Sequence, residues 1–118
     1  LLGAVGLGDI GDAYPDTDPQ WKGADSQLFL KGTLAKLAEL GWTFVNADVT
    51  LFAQEPKLGP WKTAIRENLA KLLGCEPDRV NVKAKTTERL GFAGRGEGMA
   101  AEAIALIESR PPVEFGRR

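Results

Sequence analysis

The spacing of hydrophobic positions changes along this chain, and the changes divide it into elements. Leu28, Leu30, Leu34, Leu37 and Leu40 recur at helical spacing. Asp25 or Ser26 can cap the start of that helix, and Gly41 can end it. From Trp42 to Phe52 the period drops to two: Phe44, Asn46, Asp48 and Thr50 alternate with Val45, Ala47, Val49 and Leu51, which predicts a strand with one apolar face. Pro60 opens a second helix whose buried face is Ile65, Leu69, Leu72 and Leu73, and Gly74 stops it. After the Pro77-Asp78 turn, Val80 to Lys85 alternates again and reads as another strand.

Between these elements the pattern breaks down. Leu1 to Val5 reads as the last turn of an element, with Gly6 and Gly8 as stop signals. Leu7 to Ala24 has no sustained period, and Thr86 to Gly98 is glycine-rich; both read as irregular, and loops this long in a small domain tend to carry function. Ala100 to Glu108 is ambiguous. Its alanines favour helix, whereas Ala103, Ala105 and Ile107 alternating with Ile104, Leu106 and Glu108 suit a strand. The sequence therefore predicts one α+β domain on a single sheet over 1–108, followed by a frayed tail from Ser109 to Arg118.

Composition narrows the chemistry. A chain of 118 residues supports one core, and a net charge of −1 points to neither nucleic acid nor an anionic membrane. No apolar run reaches the roughly 18 residues of a spanning helix. With no histidine, the chain cannot supply an imidazole base, a Ser-His-Asp triad or a His ligand to zinc. Cys75 is the single cysteine, so no internal disulfide forms and a small buried apolar role is expected, in keeping with a reducing compartment. The only methionine is Met99 and the chain begins Leu1-Leu2, so it is expected to be a fragment or processed product with an upstream N-terminus.

Two motifs fail on context. Gly6-Leu7-Gly8-Asp9-Ile10-Gly11 spells the dinucleotide pattern, but Tyr14-Pro15 and Asp18-Pro19 argue against the helix that should follow. Asp16-Thr17-Asp18 opens like a calcium loop but lacks its glycine and its closing Glu. Four carboxylates, Asp9, Asp12, Asp16 and Asp18, remain in one loop beside Lys22, either as turn formers or as a site for hydroxyls and cation-bridged phosphates. Thr86, Thr87, Glu88 and Arg95 leave a similar choice between an ordinary loop and a phosphate site.

Several longer segments are more specific. Gly8-Asp9-Ile10-Gly11, Tyr14-Pro15-Asp16-Thr17-Asp18-Pro19, Trp21-Lys22-Gly23-Ala24-Asp25-Ser26, Val45-Asn46-Ala47-Asp48, Ala53-Gln54-Glu55-Pro56-Lys57-Leu58 and the run from Lys83 to Gly98 follow one another in order. Together they resemble the 2-C-methyl-D-erythritol 2,4-cyclodiphosphate synthase family of the non-mevalonate isoprenoid pathway, from Leu1 to about Glu108. The resemblance implies a lyase that converts 4-diphosphocytidyl-2-C-methyl-D-erythritol 2-phosphate to the cyclodiphosphate and CMP. The substrate's own 2-phosphate is the nucleophile, so positioning and charge neutralisation carry the chemistry.

The resemblance also implies roles. Asp9, Ile10 and Gly11 with Tyr14, Pro15, Asp16, Thr17 and Asp18 would line the methylerythritol and phosphate pocket, Tyr14 standing where the family often has Phe. Ala53, Gln54, Glu55, Pro56, Lys57, Leu58 and Gly59 would hold the cytidine end, with Lys57 approaching phosphate. Thr86 would stabilise the transition state, Thr87 would follow the diphosphate, and Glu88 would ligate magnesium or manganese. Lys85 replaces a threonine common in the family, and Phe92 and Arg95 would bound the pocket and a central cavity.

The same resemblance implies a homotrimer built on a single mixed sheet with helices on one face, and makes Ala100 to Glu108 a strand. An isoprenoid diphosphate could occupy the cavity near Arg95 and Glu97. Bacterial cytosol fits best, and a plastid also fits. The family's zinc ligands, an Asp-x-His and a further His, have no counterpart here, so the 118 residues alone are expected to be inactive. A CDP-binding scaffolding remnant and the C-terminal part of a bifunctional cytidylyltransferase and cyclodiphosphate synthase are the alternatives.

Overall fold

The computed structural model describes residues 1–109. In chain order its elements are α1 (Ile10–Ala13), α2 (Ser26–Glu39), β1 (Trp42–Phe52), α3 (Lys62–Leu73), β2 (Val80–Lys85), α4 (Gly91–Gly94) and β3 (Ala100–Ser109). Short 3-10 turns occupy Gly3–Val5, Pro19–Trp21, Gly59–Trp61 and Pro77–Arg79. The strands form one mixed sheet in the order β2-β1-β3, with β1 and β2 parallel. The α+β expectation holds, and Ala100–Ser109 is a strand despite its alanines. Helix propensity is a fraction of a kilocalorie per residue, and strand pairing with β1 outweighs it.

The predicted tail begins one residue too early, since Ser109 closes β3; the rest of it, 110–118, lies outside the described residues. The chain divides into two compact units, 1–45 with 106–109 and 46–105.

The unit 46–105 is built on a parallel crossover. Parallel neighbours cannot be joined by a tight hairpin, and α3 provides the connection between β1 and β2. Their register runs from Ala47 opposite Val80 to Phe52 opposite Lys85. Ala70, Val80 and Val82 are buried together, with Leu51, Ile65, Leu69, Leu73 and Cys75 packed around them. Ala70 escapes the sequence pattern because an alanine methyl carries little hydrophobic signal, yet a small residue lets a helix approach a strand closely. Gly74, at φ +71°, ends α3 in the left-handed region. Arg66 Nε then donates to the carbonyls of Pro77 and Val80, each at 2.7 Å, and ties the helix to the turn that enters β2. Burial raises the Cys75 thiol above its ordinary 9.0, with Asp78 and Glu76 adding to the rise and Arg79 opposing it. The thiol is therefore protonated at neutral pH, as its packing role requires.

In the other unit, the Asp25 carboxylate accepts from Gln27 N at 2.9 Å and caps α2 as predicted. The covered face keeps the middle of the predicted leucine stripe, Leu30, Leu34 and Leu37, and loses its two ends. Thr33 and Leu37 are the buried positions, whereas Leu28 and Leu40 are 48% and 55% exposed. Phe29 and Thr33, one helical turn apart, widen that face. Phe29 packs its ring 4.8 Å from Tyr14 and 5.8 Å from Trp21, and Tyr14 meets Trp21 edge-on at 5.0 Å. The Tyr14 hydroxyl donates to Phe29 O at 3.2 Å and lies 3.4 Å from Thr33 Oγ1, which gives the buried threonine a partner.

The stretch predicted as irregular between Leu7 and Ala24 is partly helical. Asp9 and Asp12 form a reciprocal capping box: the Asp9 carboxylate accepts from Asp12 N at 2.9 Å, and the Asp12 carboxylate accepts from Asp9 N at 3.1 Å. One helical turn is too short to display a period. Pro19 does not prevent helix entry either, because it stands in the first turn of a 3-10 segment, where its missing N–H costs nothing. The dinucleotide reading still fails, since a 3-10 turn and not a strand precedes Gly6-Leu7-Gly8.

Candidate functional site

Two loops leave the carboxyl ends of parallel β1 and β2, the end at which open parallel sheets surround their ligands. The ladder extends one bond past β1, with Ala53 N donating to Lys85 O at 3.0 Å. Beyond it opens a cavity of about 220 Å³ lined by Ala53, Lys57, Leu58, Gly59, Pro60, Ala84, Lys85 and Thr86. Ala53, only 4% exposed, and Ala84 are small and leave the space. No carboxylate is among the lining residues, and neither Lys57 nor Lys85 has an ion pair among the described residues.

The second loop is shaped by its own backbone. Glu88 and Arg89 both adopt left-handed conformations, φ +52° and +67°, unusual for side chains of this size. Glu88 N donates to Thr86 Oγ1 at 3.3 Å, and Arg89 N donates to the Gln54 side-chain oxygen at 3.2 Å. Gln54 thus fastens one loop to the other. Gly94, in α4, lies so close to the Arg89 backbone that a Cβ there would overlap it. The turn is held from both sides.

These contacts sort the residues that the resemblance singled out. Ala53, Lys57, Leu58 and Gly59 line the cavity with Lys85 and Thr86. Gln54 is a tie between loops, and Glu55 and Pro56 are exposed and lie outside the lining. Thr87 is turned inward, its hydroxyl donating to Leu90 O, so its one proton is already used. Phe92 is half exposed, and Arg95 is engaged by Glu97 through bonds of 2.7 and 3.2 Å. The sequence reading gave no site role to Pro60 or Ala84, which also line the cavity. Their signal was positional, one residue beyond Gly59 and one before Lys85.

In the other unit, Asp9 and Asp18 are engaged as caps, Asp18 accepting from Gln20 N and Nε2 at 3.1 and 2.7 Å. Ile10, Gly11, Pro15, Asp16 and Thr17 are exposed, whereas Tyr14 is committed to the aromatic cluster. Among the described residues no three His, Cys, Asp or Glu side chains converge as a metal site. Glu88 is exposed, and magnesium bound mainly through phosphate oxygens needs only one or two such carboxylates.

A separate polar cluster lies further back on the same strands. Asp48 accepts from Lys83 Nζ at 2.9 Å and from Asn81 Nδ2 at 3.0 Å. The Lys83 bond, seconded by Asn81, holds the Asp48 carboxyl below its ordinary 3.8. Among the described residues no helix is long and apolar enough to cross a membrane.

Comparison with known proteins converges on one family. Residues 1–108 match the YgbB family. The chain is 57% identical over 108 residues to 2-C-methyl-D-erythritol 2,4-cyclodiphosphate synthase of Dechloromonas aromatica, covering 92% of this chain and 68% of that protein. It is 53% identical over 109 residues to the bifunctional enzyme IspD/IspF of Novosphingobium aromaticivorans, covering 92% of this chain and 28% of that one. Among solved structures, the bifunctional IspDF of Campylobacter jejuni superposes with a TM-score of 0.86 at 47% identity, over 92% of this chain and 29% of that chain. A 2C-methyl-D-erythritol-2,4-cyclodiphosphate synthase in its CDP-bound form superposes with a TM-score of 0.82 at 36% identity, over 91% of this chain and 69% of that chain. With its sequence and its fold in agreement, the chain belongs to the YgbB family, that of the 2-C-methyl-D-erythritol 2,4-cyclodiphosphate synthases.

Proposed function

We propose that this chain carries the nucleotide and diphosphate part of a cyclodiphosphate synthase site, and that the protein it belongs to closes 4-diphosphocytidyl-2-C-methyl-D-erythritol 2-phosphate into the 2,4-cyclodiphosphate with release of CMP. The observation that carries the reading is the cavity at the carboxyl ends of β1 and β2, where a small apolar floor meets two lysines and a threonine hydroxyl. In this reaction an oxygen of the 2-phosphate attacks the β-phosphorus. The bond from that phosphorus to the oxygen bridging it to the α-phosphate breaks, and the bridging oxygen leaves with CMP. The site needs no protein nucleophile. It needs hydrogen-bond donors and positive charge where phosphoryl oxygens gain charge, supplied here by Thr86 and Lys57.

The cytidine end is assigned to Ala53, Lys57, Leu58 and Gly59, and CDP in a related solved structure supports a cytidine nucleotide as the occupant. The exposed residues Asp16 and Thr17 are assigned to the methylerythritol end, following the family resemblance. Zinc, magnesium or manganese would act as Lewis acid on the diphosphate when bound; the described residues do not form that site alone, and no step is assigned through it. We further assign the family's trimeric arrangement, with helices on one face of the sheet, because β3 leaves Ile104 and Leu106 79% and 55% exposed, an apolar strand face suited to other copies. An isoprenoid diphosphate approaching Arg95 would compete with Glu97 for its guanidinium.

The test is CMP release from the diphosphocytidyl substrate by the protein at its natural length. Thr86→Ala is expected to lower kcat about a hundredfold with little change in substrate affinity, the usual cost of losing one transition-state donor. Unchanged turnover in that variant would remove Thr86 from its role. The bifunctional relatives favour a second reading, in which this chain ends a longer polypeptide. A cytidylyltransferase-like segment encoded upstream of Leu1 would establish it.

A further inference from the structure

We infer that Gln54 is a positioning residue for the transfer step: by holding Arg89 N from the neighbouring loop, it keeps the Thr86 hydroxyl turned so that its proton is free for a phosphoryl oxygen. The inference rests on the donor role proposed for Thr86 above and adds to it the group that sets the donor.

A hydroxyl has one proton to give and accepts at its lone pairs. Thr86 Oγ1 accepts from Glu88 N at 3.3 Å, so this contact uses a lone pair and leaves the proton available. Thr87, the next residue, shows the opposite outcome, its proton going to Leu90 O. The chain reaches the first arrangement by bending Glu88 and Arg89 into left-handed conformations, φ +52° and +67°. Residues with side chains persist in that region only where the surroundings hold them there. Leu90 N, bonded to Thr87 O at 3.0 Å, closes the turn from within, and α4 abuts Arg89 at Gly94.

Gln54 supplies the hold from the other loop, its side-chain oxygen accepting from Arg89 N at 3.2 Å. Its own origin is anchored, because the preceding residue, Ala53, is buried and donates its N–H to Lys85 O at 3.0 Å. Gln54 lies outside the cavity lining, so its effect passes through Arg89 and Glu88 to Thr86 and not through contact with a ligand. Without that acceptor the turn can relax, and Thr86 keeps its hydroxyl but loses its direction. A donor that must be reoriented during the step stabilises the transition state less than one already aimed, while ground-state binding is little changed.

The experiment is a double-mutant cycle on CMP release by the natural-length protein, with CDP affinity and melting temperature measured alongside. Gln54→Leu, which removes the acceptor, is expected to lower kcat about tenfold while KM and CDP affinity stay within about twofold. Gln54→Glu keeps an acceptor oxygen at the same reach and should recover most of the loss. In a Thr86→Ala background no hydroxyl is left to position, so Gln54→Leu should cost less than about twofold there, which a general loss of loop structure would not give. Gln54→Asn, one methylene short, disturbs packing less and should show the same split and the same cancellation, so it carries the test if Gln54→Leu does not fold. Parent-like kcat in Gln54→Leu, or a loss of the same size in the Thr86→Ala background, would overturn the positioning role and leave the proposed reaction standing. Absence of CMP release by the parent would overturn both.

Discussion

The loop between Leu7 and Ala24 and the loops at the ends of β1 and β2 are both rich in charge, but they use it in opposite ways. In the first, Asp9, Asp12 and Asp18 are engaged by backbone or side-chain donors within three residues, and the Tyr14 hydroxyl is bonded inward to α2. In the second, Gln54 and Thr87 shape the backbone, while Lys57 and Lys85 face a cavity without counter-charges. Density of charged residues does not mark a site. The two regions differ in whether the fold has already used the bonding capacity of their charged groups.

The largest effect should come from the inward half of this contrast. Tyr14→Ala is expected to destabilise the protein by about 2–3 kcal/mol in urea unfolding, because a partly buried ring in a three-ring cluster is lost. Tyr14→Phe keeps the ring and should cost about 1 kcal/mol through the hydroxyl alone. A neutral Tyr14→Phe would mean that the hydroxyl does not secure Thr33, and the claim of an inward-bonded loop would weaken.

Asp9→Ala removes the carboxylate that accepts from Asp12 N, one half of the capping box, and should cost about 1 kcal/mol by the same measurement, with Asp9→Asn recovering most of it. Full stability in the alanine variant would return Asp9 to the pool of groups free for a ligand.

The smallest effect is expected at Asp48. Its folded pKa lies below 3.8, so the ionised, bonded form favours the folded state above that value, and this contribution fades as pH falls through the folded pKa. Asp48→Asn should therefore melt slightly below the parent at neutral pH, the two curves converging at pH values under 3.8. The carboxyl is solvent-exposed, and added salt should shrink the difference.

Much of the fold was legible because single residues announce boundaries. Alternation defined β1 and β2 to their end residues, and Asp25, Gly41 and Gly74 bounded the helices. The leucine period marks the middle of the covered face of α2 but overextends it to Leu28 and Leu40, and it omits the ring contacts of Phe29 and the satisfied hydroxyl of Thr33. Neither depends on a local period. α1 and α4, four residues each, are too short to carry one, and β3 became readable only through resemblance. At the site, residue types pointed to phosphate chemistry, but they could not show that Thr87 and Gln54 work inside the protein while Lys85 faces outward. That distinction lies in hydrogen bonds between residues far apart in sequence, such as Gln54 to Arg89.

The bond from Ala53 N to Lys85 O, just past the paired ends Phe52 and Lys85, sets the gauge of the cavity. The two walls begin one strand spacing apart because the backbone ladder holds them there. Side chains along the rim can therefore drift over generations, altering what the mouth attracts, while its width stays the same. Substitution at the strand end alters the lining of the mouth and leaves its backbone gauge in place.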